Sequence, residues 1–226
     1  MKNLFVGKKL LLVAASIALC ATVAPAQYKL ASSTAPPPSD LPAAIQGAIS
    51  SNAIQVTGAS GPYCEIWLAK NVPTASTPDT SLGVNFGQIP QGTLMAVVKF
   101  DIQGADYRNQ PIKPGVYTLR FALQPVNGDH QGVSPFRDFL LAVPASDDTS
   151  TAAVAPDALY NLSKKASGTG HPSVWSLIPA DEAPATLPAI AHQQEESDQW
   201  IVFFQAPLAT PLKMGLVVVG HAAESE

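Results

Sequence analysis

Four histidines carry the densest potential for chemistry in this 226-residue sequence: His130, His171, His192 and His221. Three sit beside glycine, in Gly128-Asp129-His130, Gly170-His171-Pro172 and Gly220-His221. Imidazoles at loop tips and strand ends can converge on zinc or copper when a β-rich fold gathers its loops at one end. On that reading His130, His171 and His221 are ligands, Asp129 or Asp138 is the fourth, and the protein is a metal carrier or a metal-dependent hydrolase. No H-x-x-x-H, H-x-H or C-x-x-C spacing fixes two ligands on one element, so convergence depends wholly on the fold. The simpler reading is isolated surface or hydrogen-bonding imidazoles and a chain that needs no cofactor.

Other chemistries find less support. Asp101, Asp106 and Asn109 lie in the segment DIQGADYRN, whose oxygens would suit calcium, but the spacing departs from the D-x-[DN]-x-[DN]-G loop. Acyl transfer on a strained G-x-S-x-G elbow is not encoded, because Gly168-Thr169-Gly170-His171 lacks the nucleophile. Neither a P-loop nor a G-x-G-x-x-G fingerprint occurs. Trp67, Trp175 and Trp200 could stack on sugar rings, yet aromatics make up 7% of the chain, too few for a carbohydrate-binding composition. Glu65, Trp67, Arg120 and Asp138 fall on one face of the strands assigned below. They read either as cross-strand pairs, Glu65 with Lys99 and Arg120 with Asp138, or as the lining of a ligand groove.

The elements that must position these groups are strands. The chain's 21 prolines oppose long helices, since each removes a backbone donor and fixes its own torsion. Alternation and turn residues predict strands over 53–57, 63–70, 82–86, 93–102, 116–124, 136–143, 173–178, 199–205 and 212–219. One face of this set, Cys64, Ile66, Leu68, then Leu94, Ala96, Val98, Phe100, then Tyr117, Leu119, Phe121, Leu123, then Phe139, Leu141, Val143, is the expected core. A single helix fits 157–167, with Asp157 as N-cap and Gly168 as terminator. The last two strands are apolar on both faces and are expected to be covered on both sides. The expected fold is therefore mainly β: an immunoglobulin-like or jelly-roll sandwich with one short helix and a C-terminal strand pair.

Two resemblances bear on this. Ile112-Lys113-Pro114-Gly115-Val116-Tyr117 resembles the tyrosine corner of immunoglobulin and fibronectin type III sandwiches, which implies that the Tyr117 phenol bonds a backbone group upstream. The stretch YTLRFALQPVNGDHQGVSPFRDFLLAV, residues 117–143, and the tail Val217-Val218-Val219-Gly220-His221 are similar to uncharacterised exported bacterial proteins. That likeness implies a bacterial source and a shared fold, and it carries over no catalytic residue.

The N-terminus sets the compartment. Lys2, Lys8 and Lys9 precede an apolar run from Leu10 to Ala24 and an Ala24-Pro25-Ala26 cleavage site, the pattern of a secretory signal peptide over residues 1–26. The run is shorter than the roughly 20 residues of a membrane-spanning helix. A lipid on Cys20 is disfavoured by the bulky Leu19 before it. Cleavage removes three lysines and no acid, taking the formal charge from −4 to −7. An acidic, secreted or periplasmic domain is a poor partner for nucleic acid or anionic membrane surfaces. Cys64 is then the one remaining cysteine, so no internal disulfide forms, and it reads as a buried inert thiol. Residues 27–51 read as a Pro/Ser/Ala-rich spacer and 52–226 as a single domain. The expected function is a non-catalytic exported binding or structural module that meets a protein, an envelope polymer or a small ligand.

Overall fold

The computed structural model describes residues 27–125, 134–181, 183–193 and 198–220. The fold is mainly β. Among the described residues ten strands form one sheet: β1 (Lys29–Ser33), β2 (Ala53–Gly58), β3 (Gly61–Leu68), β4 (Leu94–Phe100), β7 (Gly115–Leu123), β8 (Asp138–Pro144), β9 (Val174–Pro179), β10 (Ala189–Gln193), β11 (Gln199–Ala206) and β12 (Leu212–Val219). Two short strands, β5 (Gly104–Ala105) and β6 (Pro111–Ile112), make a separate hairpin between β4 and β7. The helices are α1 (Ala43–Ala48) and α2 (Pro156–Ser167). The sheet order is β1-β2-β3-β4-β7-β8-β9-β12-β11-β10, every neighbouring pair is antiparallel, and the sheet curls until it nearly closes into a barrel. No helix among the described residues is long and apolar enough to cross a membrane.

The barrel interior is filled. Cys64, Ile66, Ala96, Val98, Phe100, Tyr117, Leu119, Phe121 and Leu123 point inward from one half, and Trp175, Leu177, Val202, Phe204, Met214, Leu216 and Val218 from the other. Trp175, Phe100, Phe121 and Phe204 supply the bulk that a ten-strand circumference demands, since about eight strands already enclose just enough space for side chains.

Two strands depart from the expected inward set, each for a register reason. A bulge between Leu94 and Ala96 turns Leu94 outward and Met95 inward. In β8, Leu140 stands opposite Phe121 and Ala142 opposite Leu119, so these two face the interior, while Phe139, Leu141 and Val143 face out beneath α2. Directly opposed residues share a face, and the inward residues of β7 therefore fix those of β8.

The outer face is covered in three places. Leu41, Ile45 and Ile49, on and around α1, pack over Trp67, Leu94 and Val97. Leu159 of α2, with Tyr160 and Leu162, covers Phe139, Leu141, Val143 and Val174. Tyr107, with Ala183 and Leu187 of the loop after β9, packs on Ile201, Phe203 and Val217. The region 27–51, expected as a spacer, thus supplies both an edge strand and the helix that buries Trp67. Helix α2 starts one residue earlier than expected: Ala155 is the N-cap, Pro156 occupies the first turn, and Gly168 closes the helix with φ 67° and its N–H on Lys164 O. The stretch 82–86 forms turns instead of a strand.

Candidate functional site

The four residues read as a ligand face are bound up in the fold. Arg120 lies on the outer face of β7, where residues 145–152 cross over it, and is fully buried. Its Nε and Nη2 donate to Asp148 Oδ2 and Oδ1 at 2.6 and 2.8 Å, Nη1 donates to Gly92 O and Ala152 O at 2.6 and 2.9 Å, and Nη2 also donates to Ser150 O. All five guanidinium donors are therefore used. Thr118 Oγ1 donates to the same Asp148 at 2.5 Å. Asp138 does not meet Arg120, whose cross-strand partner is Leu141. Its buried carboxylate instead accepts from Asn85 N and Nδ2 and from Phe86 N at 2.9, 3.0 and 2.9 Å, pinning the long β3–β4 connection to the barrel.

Glu65 does stand opposite Lys99 as expected. However, Lys99 Nζ pairs with Asp101 at 2.8 Å, while Glu65 Oε1 accepts from Ser33 Oγ at 2.9 Å and so ties β1 to β3 across β2. Trp67 is 1% exposed beneath α1, its Nε1 donating to Ala35 O at 3.3 Å. Trp67, Arg120 and Asp138 are thus buried in the fold, and Glu65 is half-buried.

Other sequence candidates resolve similarly. Asp106, considered for calcium, is buried with its oxygens taken by N–H donors: Arg108 N at 3.0 Å, Gln110 N and Nε2 at 2.9 Å each, and Val174 N at 3.3 Å. Burial raises its carboxyl to about 6 against the opposing pull of these bonds. Cys64 is buried among apolar neighbours, which, with the Glu65 charge beside it, pushes the thiol far up and keeps it inert. The Tyr117 hydroxyl donates to Lys113 O at 2.8 Å, the upstream backbone bond that its resemblance to a tyrosine corner implies.

Of the proposed metal ligands, His130, His221 and Asp129 lie outside the described residues. His171 is exposed at the turn after α2. Among the described residues no group of three or more His, Cys, Asp or Glu side chains is arranged to hold a metal ion. His192 stacks face to face on Trp200 at 4.4 Å, and its Nε2 lies 2.5 Å from Asp198 Oδ1, a bond that clasps the β10–β11 hairpin.

Two of the concavities among the described residues bear on function. The first is a groove of about 500 Å³ on the outer face of β9, β10 and β11. Its walls are Phe136, Ile178, Pro179, Ala191, Ile201 and Phe203, with Asn85, Asp181, His192 and Gln193 as the polar members. No sequence motif announces it, because the residues come from five separate segments. The nearest signal was that β11 is apolar on both faces: Val202 and Phe204 point into the barrel, and Ile201 and Phe203 are buried on the outer face, where they form part of the groove's lining.

The second lies at the seam where the barrel fails to close. At one end Tyr28 bridges the gap, with its ring edge-on to Trp200 at 5.4 Å and to Tyr63 at 5.5 Å. At the other end a wedge of about 400 Å³ is lined by Ser32 and Ser33 of β1, by Ile54 and Leu68 of β2 and β3, and by Phe204 and Gln205 of β11.

Comparison with protein-family models, with curated proteins and with solved structures gave no match to this chain. The functional reading therefore rests on these two sites and on the sequence.

Proposed function

We propose that this chain is an exported, non-catalytic binding module, and that the groove over β9–β11 takes its ligand. The observation that carries the reading is the groove's make-up: a concavity of a size that suits small ligands, in which Asn85, Asp181, His192 and Gln193 stand beside an apolar wall that includes Phe136, Ile201 and Phe203. Asp181 is its acidic member, and the whole chain is acidic, so a ligand with an apolar body and a cationic or hydrogen-bond-donating end is favoured. Export rests on the signal-like residues 1–26. The immunoglobulin-like sandwich remains part of the proposal and is supported by the Tyr117 corner and by the Greek-key order in which β12 returns to lie beside β9.

The test is titration of the purified protein with hexylamine and octylamine against the matching carboxylates, followed by amide chemical shifts. The amines are expected to shift residues of β9 to β11, the longer one binding more tightly. Ile201→Glu should remove that response, and Asp181→Asn should erase the preference for amine. Equal binding of amine and carboxylate, or shifts elsewhere, would reject the site. Near-stoichiometric zinc or copper in protein purified without chelator, lost in His130→Ala, would replace the whole reading with a metal-dependent one.

A further inference from the structure

We propose that the wedge in the barrel seam is a receptor for an extended, uncharged peptide segment that enters as an additional strand. The starting point is an unfinished hydrogen-bond ladder. Nine antiparallel interfaces join ten strands, so the two end strands, β1 and β10, run antiparallel to each other across the gap, the direction that closure would require. They do not pair: β1 is laddered to β2 and β10 to β11. Moreover, β10 begins at Ala189, opposite Phe203, whereas β11 continues to Ala206. Beyond Phe203, β11 is laddered to β12 on one side and faces the wedge on the other. The chain leading into β10 there is Leu187-Pro188, and proline has no N–H to offer.

The lining specifies the occupant. Ser32, Thr34, Asn52 and Gln205 supply hydroxyls and amides above an apolar floor that includes Ile54 and Phe204. No charged side chain lines the wedge, so a charged segment would lose hydration without gaining a partner. Edge backbone groups beside a lining that is polar along residues 32–34 and apolar at Ile54 and Phe204 match the way an added strand is read, main chain for affinity and side chains for fit. The Tyr28–Trp200 contact stops the opening from running the full length of the seam, so the segment is short.

The probe is acetyl-Thr-Val-Thr-Val-Thr-amide, titrated into purified ¹⁵N-labelled protein. Saturable shifts and slowed amide exchange at residues 32–34 and 204–206 are expected. The same peptide N-methylated at alternate residues should bind at least about tenfold more weakly, because it lacks half its donors. Ser32 is exposed on β1, so Ser32→Trp should fill the wedge and abolish binding without lowering the melting temperature. The proposal is overturned if the peptide produces no response, if the N-methylated form binds equally, or if the shifts fall in the β9–β11 groove. It is also overturned if amides 32–34 are already fully protected in the free protein, or if sedimentation shows that a second copy of the chain occupies the edge. The groove ligand is tested with different probes and different residues, so either site can fail alone.

Discussion

Burying a guanidinium is tolerable only when every N–H finds an acceptor, and Arg120 achieves this with one carboxylate and three carbonyls. Removing a partner leaves the charge stranded. Asp148→Ala is expected to cost about 3–5 kcal/mol in urea unfolding. Gly92 belongs to the same cluster: its φ is +81°, and an added Cβ would lie 2.0 Å from Val154 O, so Gly92→Ala should also destabilise, through both backbone and clash. Asp106 gives a pH signature. Its folded carboxyl titrates near 6 against an ordinary value of 3.8, so its contribution to stability is full below 3.8 and is lost as pH rises through about 6. Melts of wild type and Asp106→Asn should therefore diverge across that window, with wild type losing stability relative to the variant as pH rises. Tyr117→Phe deletes a single 2.8 Å bond and should cost about 1 kcal/mol.

At the scale of elements, the sequence was most readable where one face of a strand is apolar and the other is not. The strands from β2 to β4, with β7, β9, β11 and β12, stand within a few residues of their expected places. The failures have physical causes. β1 reads KLASS and β10 reads AIAHQ: small or polar residues in edge strands carry too little apolar alternation to be seen. α1 has six residues after Pro42, with Gly47 within them, too short to declare a helical period, and tertiary cover over Trp67 stabilises it. β8 is apolar on both faces, so its phase could be set only by its partner, as Leu140 opposite Phe121 shows. The candidate sites were less legible still, because groove and wedge are assembled from positions scattered across the chain. α1 itself can be tested: a chain lacking residues 27–48 should expose Trp67, red-shift the tryptophan emission and lower the melting temperature, whereas a true spacer would leave both unchanged.

For the whole molecule, hydrophobic alternation alone could not distinguish two facing sheets from one sheet curled on itself, since both put the same residues inside. What alternation leaves out is cross-strand pairing, which here runs in one unbroken series from β1 to β10 through β9 and β12. The apolar filling of the interior is also the reverse of a membrane-spanning barrel, whose lumen is polar. Stability rests on burial, with Cys64 the sole cysteine among the described residues, so reducing agent should leave the melting temperature unchanged.

The seam has a further consequence, in time instead of space. A chain is synthesised N-terminus first, so β1 emerges early and finds β2 within a few dozen residues, whereas β10, across the seam from it, is made more than 150 residues later. Through that interval the outer edge of β1 is bare, and nascent chains crowded together could zip edge to edge. The five-residue length of β1, its lysine and its two serines make it a poor template for such mispairing. Residues that look featureless as a strand thus serve as the guard of the unfinished barrel.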